Sequence, residues 1–177
     1  MGLPSGVQWA NCNVGAESLS DPGLYFSWGN IEGHRIDEGY NFSEDAYNSS
    51  PGASIDTDLS LQHDAARAIL GDPWRMPTEI ELQELIDNST QEWTTVDGVN
   101  GYLFTSNING AKLFFPAAGF FVGATLTNIN RNGYYWSSTF HSAGQAGRMD
   151  FDNSNVVKVR IGGRRNGLTV RAVLIPA

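Results

Sequence analysis

Gly133-Tyr-Tyr-Trp-Ser-Ser-Thr139 and, after a polar and glycine-rich run, Gly167-Leu-Thr-Val-Arg171 are the two stretches on which the reading of this chain turns. Both are strand-like: aromatic and β-branched side chains fit a pleated, half-buried surface. Between them, Phe140 to Asn166 mixes an aromatic, an imidazole, guanidinium forks and carboxylates in a way that a core does not require. Ordered blocks that hold such a mixture between them have the arrangement of a recognition surface rather than a catalytic centre.

Outward from these blocks, strands are expected at Tyr134 to Ser138, Gly147 to Phe151, Val156 to Ile161 and Leu168 to Leu174. A strand's side chains alternate, so Arg148 and Asp150 share one face while Met149 and Phe151 share the other. Asn109-Gly110 reads as a hairpin turn between Gly101 to Thr105 and Lys112 to Phe115, and Asp97-Gly98 is a second turn pair. Two helices precede this half. Ser60 is expected to cap Leu61 to Leu70, with Leu61, Ala65, Ala68 and Ile69 on its apolar side and Gly71-Asp72-Pro73 as its stop. Thr78 and Glu81 have capping-box spacing ahead of a stripe of Ile80, Leu82, Leu85 and Ile86, which ends at Asn88 or Ser89.

Nearer the N-terminus, Val7 to Val14 is expected as a strand with Val7, Trp9 and Cys12 or Val14 inward. Asp21-Pro22-Gly23 reads as a turn, Leu24 to Trp28 as a short aromatic strand, and Gly29 to Asp58, with Pro51-Gly52 inside it, as a long surface loop. The first and last strands could pair. Helices that do not alternate with strands cannot be the crossovers of a parallel sheet. The expectation is therefore one α+β domain over residues 1–177 with a mainly antiparallel sheet.

Composition narrows the function classes. An apolar share of 41% over 177 residues belongs to a folded chain with a real core. The net charge of -8 argues against general nucleic-acid binding, which needs a basic footprint. Lys158, Arg160, Arg164, Arg165 and Arg171 could still make a local positive patch. No run of apolar residues is long enough for direct membrane insertion, and Met1 to Gly6 lacks the pattern of a signal peptide, which leaves open a fragment of a longer exported chain. Cys12, the single cysteine, is expected as a small buried residue. His34, His63 and His141 have no metal-ligand spacing. Asp56 with Asp58, or Asp150 with Asp152 and Asn153, could offer oxygens to calcium but read better as solvated turn carboxylates. No nucleophile elbow or phosphate loop is present. Neither an enzyme nor a cofactor is expected. Each tryptophan reads first as core; Trp28 and Trp93 are also candidate sugar platforms.

The same blocks carry a resemblance that spans nearly the whole chain. Trp9-Ala-Asn-Cys-Asn-Val-Gly15, Gly23-Leu-Tyr-Phe-Ser-Trp-Gly29, Asp64-Ala-Ala66, Trp74-Arg-Met-Pro-Thr78 with Glu81, Phe115-Pro-Ala-Ala-Gly119, Gly133-Tyr-Tyr-Trp-Ser-Ser138 and Gly167 to Arg171 follow one another in order. Together they resemble a domain of Bacteroidetes surface proteins. That domain is similar to the C-type-lectin-like fold, in the branch shared by formylglycine-generating-enzyme-like domains and the variable proteins of diversity-generating retroelements. The resemblance implies an extracellular or cell-surface ligand-binding domain, or a phage tail component, with an unknown protein or glycan as partner. It implies a fixed frame of Tyr135, Trp136, Ser137, Ala146, Met149, Phe151, Gly167, Val170 and Arg171. It implies a ligand-facing set of Phe140, His141, Ser142, Arg148, Asp150, Asp152, Asn153, Arg160, Ile161, Arg165 and Asn166. The calcium-binding triplets of sugar-binding lectins are absent, so calcium-dependent sugar binding is not implied. A structural domain of an adhesin or pilus-like assembly, and an enzyme of the formylglycine-generating branch, are the alternatives.

Overall fold

The computed structural model describes residues 1–44 and 54–177. The Pro51-Gly52 part of the expected long loop lies outside the described residues. In chain order the elements are β1 (Gln8–Trp9), α1 (Ala65–Leu70), α2 (Glu79–Asp87), β2 (Ser89–Val96), β3 (Val99–Ser106), β4 (Lys112–Pro116), β5 (Phe120–Val122), β6 (Thr125–Thr127), β7 (Asn132–Ser142), β8 (Gln145–Asp152), β9 (Val157–Gly163) and β10 (Val173–Leu174). Two three-stranded sheets, β2-β3-β4 and β7-β8-β9, and two ribbons, β1-β10 and β5-β6, are all antiparallel. The fold is mixed α+β. Among the described residues no helix is long and apolar enough to cross a membrane.

The β7–β9 sheet separates two apolar clusters. On one side Tyr135, Met149 and Phe151 meet Leu82 and Leu85 of α2, Tyr102 and Phe104 of β3, Phe115 of β4 and Trp9. On the other side Trp136 and Ala146 meet Phe26, Trp28, Met76, Leu168 and Val170, which come from irregular segments. These segments cover β7 and Ala146 of β8, and the same side is open at Lys158 and Arg160 of β9, with Arg148 and Asp150 of β8 partly exposed beside them. α2 can lie close because β8 has Gly147 there: a Cβ at that position would sit 2.3 Å from Glu79 Oε1.

Local chemistry explains several elements directly. Asp97 and Gly98 both have positive φ, at 49° and 79°, which matches the handed twist of a tight hairpin between β2 and β3. Thr78 Oγ1 accepts from Glu81 N at 3.2 Å while Glu81 Oε2 accepts from Thr78 N at 2.8 Å, so the α2 capping box is closed as expected. β1 pairs with β10 through Gln8–Leu174 and Trp9–Val173, as the expected meeting of first and last strands requires.

Other expectations fail for identifiable reasons. α1 starts at Ala65 because Asp64, not Ser60, is its cap: Asp64 Oδ1 accepts from Arg67 N at 2.9 Å. Leu61 falls in a preceding 3-10 turn, and it and Ile69 are exposed, while Ala65 and Ala66 are buried. Ile80 is 81% exposed; at about 100° per residue it lies across the helix from Leu82. Val7 to Val14 contains only the short β1, and Leu24 to Trp28 contributes single bridges rather than a strand. Leu168 to Leu174 is not one strand either. Gly167 bridges to Phe121, Leu168 to Phe26, Thr169 to Tyr135 and Val173 to Arg75, so this segment threads the interior and its backbone is satisfied by a different neighbour at each step. The strands β2, β5 and β6 were not expected. Cys12 is half-buried beside a surface cavity with Trp9, Ile69, Leu70 and Trp74 rather than in the core.

Candidate functional site

The open part of the β7–β9 sheet collects the candidate residues that alternation predicted. Met149 and Phe151 face the core and are buried. Arg148, Asp150 and Arg160 come to the other side, where the register sets Arg148 opposite Arg160, and Asp150 opposite both Tyr134 and Lys158. Arg148 and Arg160 are like charges directly across a ladder, an unfavourable pair on its own. Asp150 relieves it. Arg148 Nε lies 2.7 Å from Asp150 Oδ1, Arg148 Nη2 donates to Oδ2 at 3.1 Å, and Arg160 Nε stands 4.0 Å from Oδ2. Burial lifts the Asp150 carboxyl above its ordinary 3.8, against the pull of Arg148 and then Arg160.

Arg148 can lie flat because β9 offers Gly162 beneath it; a Cβ there would meet its Nη1 at 2.4 Å. Its guanidinium carbon is 5.0 Å from the centre of the Tyr134 ring, and Tyr134 in turn packs on Phe120 at 4.6 Å. Arg148 is therefore fixed from three sides, whereas the Arg160 side chain is 53% exposed. Asn132, Tyr134, Asp150, Asp152, Lys158 and Arg160 line a shallow depression of about 370 Å³. Asp152 stays ionised more readily than an ordinary aspartate because the Ser154 hydroxyl and then the Ser154 amide donate to it.

The remaining candidates lie elsewhere. Phe140, Ser142, Arg165 and Asn166 cluster at the β7–β8 hairpin end, where Arg164 N donates to Gly144 O and Asn166 N to Gly163 O. Phe140 is half-buried, with the Arg164 guanidinium 5.9 Å from its ring. His141 turns to the α2 side, where Nε2 is 2.7 Å from Glu79 Oε1. Ile161 pairs with Gly147, whose Cβ direction points at Glu79, so Ile161 belongs to that side too. Asn153 is exposed in the β8–β9 turn. The arrangement thus joins Arg148, Asp150, Asp152 and Arg160, leaves Phe140, Ser142, Arg165 and Asn166 as a second group, and sends His141 and Ile161 to the opposite face.

The expected basic patch is divided. Arg164 and Arg171 are buried, with Arg164 over the Trp28 ring at 4.4 Å, so only Lys158 and Arg160 join the open face. Trp28 cannot be a sugar platform, because it is buried and its indole donates to Ser137 O at 2.8 Å. Trp93 is half-buried and borders a second depression. The calcium alternative is weakened by the same contacts: Asp58 Oδ1 accepts from Phe140 N at 2.7 Å and Asp150 is held by Arg148. Among the described residues no group of three or more His, Cys, Asp or Glu side chains is placed to hold a metal ion.

Sequence reasoning named Lys158 only in the basic patch and missed Tyr134 and Asn132 as lining residues. Lys158 was findable, since it alternates with Arg160 on one strand. Tyr134 and Asn132 were not, because only strand pairing brings them beside Asp150 and Asp152. Every residue of the implied frame, from Tyr135 to Arg171, is buried. Compared with protein-family models, with curated proteins and with solved structures, the chain gives no match.

Proposed function

We propose that this chain is a ligand-binding domain of C-type-lectin-like fold, displayed outside the cell or on its surface, which recognises a protein or glycan through the open face of β7–β9. One observation carries the reading: β8 buries Met149 and Phe151 on one side while Arg148 and Asp150 meet Arg160, Lys158 and Tyr134 on the other. The inner side fixes the backbone, so the outer side chains can be exchanged without loss of the fold. A preformed surface also loses less entropy when a partner binds. The resemblance to retroelement variable proteins supports the same division, since those proteins keep a frame and rewrite exposed positions near the C-terminus.

The test is a screen of the purified chain against glycan arrays and panels of surface proteins, with hits repeated on Arg160→Ala, Lys158→Ala and Ile80→Ala. Binding should fall in the first two and persist in the third, which changes an exposed position on α2. Hits that are indifferent to Arg160 and Lys158 would place recognition elsewhere. For retroelement diversification the deciding observation is genomic: a reverse transcriptase beside the gene, and a near-copy of the segment coding for residues 133–173 that differs mainly at adenines.

A further inference from the structure

We propose that the depression bordered by Trp93 is a saccharide subsite, continuous with the β7–β9 face through Asn132 and Asp152, which line both. This inference rests on the recognition reading of that face and narrows its ligand to a glycan. The depression holds about 530 Å³ and is lined by Trp93, Asn100, Ile129, Asn130, Arg131, Asn132, Asp152 and Asn153. That volume lies within the range of small-molecule sites.

The lining fits one kind of ligand. A sugar ring has a flat apolar C–H face and a rim of hydroxyls that both donate and accept. Trp93 supplies a large ring that is partly open to the depression. The amides of Asn132 and Asn153 can donate and accept, Arg131 donates a fork, and Asp152 accepts. The single cation and single carboxylate among the lining residues balance, so an anionic ligand would gain little from Arg131 that Asp152 did not oppose. A wholly apolar ligand would strip water from the amides and return no hydrogen bonds. A neutral polyhydroxyl ligand satisfies both the ring and the amides.

The walls are set before any ligand arrives. Trp93 is held edge-on against Tyr102 at 5.2 Å and Phe151 at 6.5 Å, so its ring belongs to the same core as the β8 frame. Asn100 N donates to Asn130 Oδ1 at 3.0 Å and Asn100 Nδ2 to Asn130 O at 3.2 Å. Asn130 N donates to Ala117 O, and Asn132 N to Asn128 O. The opposite wall is fixed where Asn155 N donates to the Tyr102 hydroxyl at 3.0 Å. Asn100 and Asn130 are thus structural, while Arg131, Asn132, Asp152 and Asn153 surround the opening.

The experiment uses the whole chain with its tryptophan indoles labelled with nitrogen-15. The signal of Trp93 is identified with Trp93→Phe. Methyl glycosides of galactose, mannose, fucose and N-acetylglucosamine, with lactose and N-acetyllactosamine, are titrated at millimolar concentrations. At least one should move the Trp93 signal saturably, and its affinity by calorimetry should fall about tenfold or more in Trp93→Ala and in Asp152→Asn. Asp152→Asn serves where loss of the Trp93 ring also disturbs the core. A Trp93 signal that none of these sugars moves, or sugar affinity that survives both substitutions, overturns the subsite. Two patterns separate it from the reading it rests on. Binding that depends on Arg160 while Trp93 stays silent keeps the face and removes the subsite. Sugar binding that depends on Trp93 and ignores Arg160 and Lys158 keeps the subsite and removes the face.

Discussion

Met149 and Arg148 are neighbours in sequence with opposite duties. Met149 is fully buried between the sheets, so Met149→Ala should destabilise the chain by about 2–5 kcal/mol through lost contacts and a residual cavity. Arg160→Ala, at a half-exposed side chain, should change stability by no more than about 0.5 kcal/mol. Urea unfolding of the two variants measures this contrast directly; equal losses would deny that the strand has a fixed side and a replaceable one. Gly162→Ala is a finer probe. The added methyl meets Arg148 Nη1, Cζ and Cδ at 2.4, 2.7 and 2.8 Å and displaces a guanidinium held by Asp150 and Tyr134, so both ligand affinity and the unfolding midpoint should fall. Asp150 adds a pH dependence. Its folded-state carboxyl holds its proton more tightly than the ordinary 3.8, mainly through burial. The contribution of that group to stability is present below the ordinary value and is lost as pH rises through the raised one. The stability of the native chain relative to Asp150→Asn should therefore decline with rising pH across that window, read from unfolding midpoints at a series of pH values.

At the scale of elements, α2 is the best-specified helix, and its start is held by a reciprocal pair. Thr78→Ala removes the acceptor for Glu81 N and should lower stability by about 0.5–2 kcal/mol. Glu81 also grips Arg75 through both oxygens, at 2.6 and 2.8 Å. Burial would raise its carboxyl, but Arg75 and the Thr78 amide outweigh burial and hold it below the ordinary 4.5. Here the sign is opposite to that of Asp150. The stabilisation is present above the ordinary value and is lost as pH falls through the lowered one. The advantage of the native chain over Glu81→Gln should be largest near neutral pH and shrink on acidification; an advantage constant with pH would deny the linkage. The β3–β4 hairpin needed no tertiary help to be read, since Asn109-Gly110 marks its turn, whereas Asp97-Gly98 was legible only as a turn pair. β2 itself went unread because Ser89 to Val96 is polar and its one large apolar contact, Trp93 against Tyr102 and Phe151, is tertiary.

Across the whole molecule, one side chain ties the chain ends to the interior. The fully buried guanidinium of Arg171 donates to Asn13 Oδ1 at 3.0 and 2.8 Å, to Ala10 O and Asn11 O at 3.3 and 3.2 Å, and to Phe114 O at 2.6 Å. It also lies 4.2 Å from the centre of the Phe115 ring. Burial pulls it down to about 10, which still leaves it charged at neutral pH. A planar fork is needed to reach four oxygens on two separate segments, residues 10–13 and Phe114, and a lysine has none. Arg171→Lys should cost about 3 kcal/mol or more, because buried carbonyls and Asn13 lose their donors. Thermal unfolding of the variant checks this, and a midpoint near that of the native chain would refute the tethering role.

The amino-acid sequence by itself determined what depends on neighbours along the chain. The capping box at Thr78 and Glu81, the paired turns, and the two sides of β8 follow from backbone geometry and from a period of two, which act over a few residues. Tertiary structure decided everything that depends on which segments meet. It placed Asp64 rather than Ser60 at the head of α1 by engaging both of its oxygens with Met76 N. It broke the expected last strand into single bridges, turned His141 toward Glu79, and set Tyr134 and Lys158 beside Asp150. Strand register and core packing join residues far apart in the chain, and no local pattern carries that information.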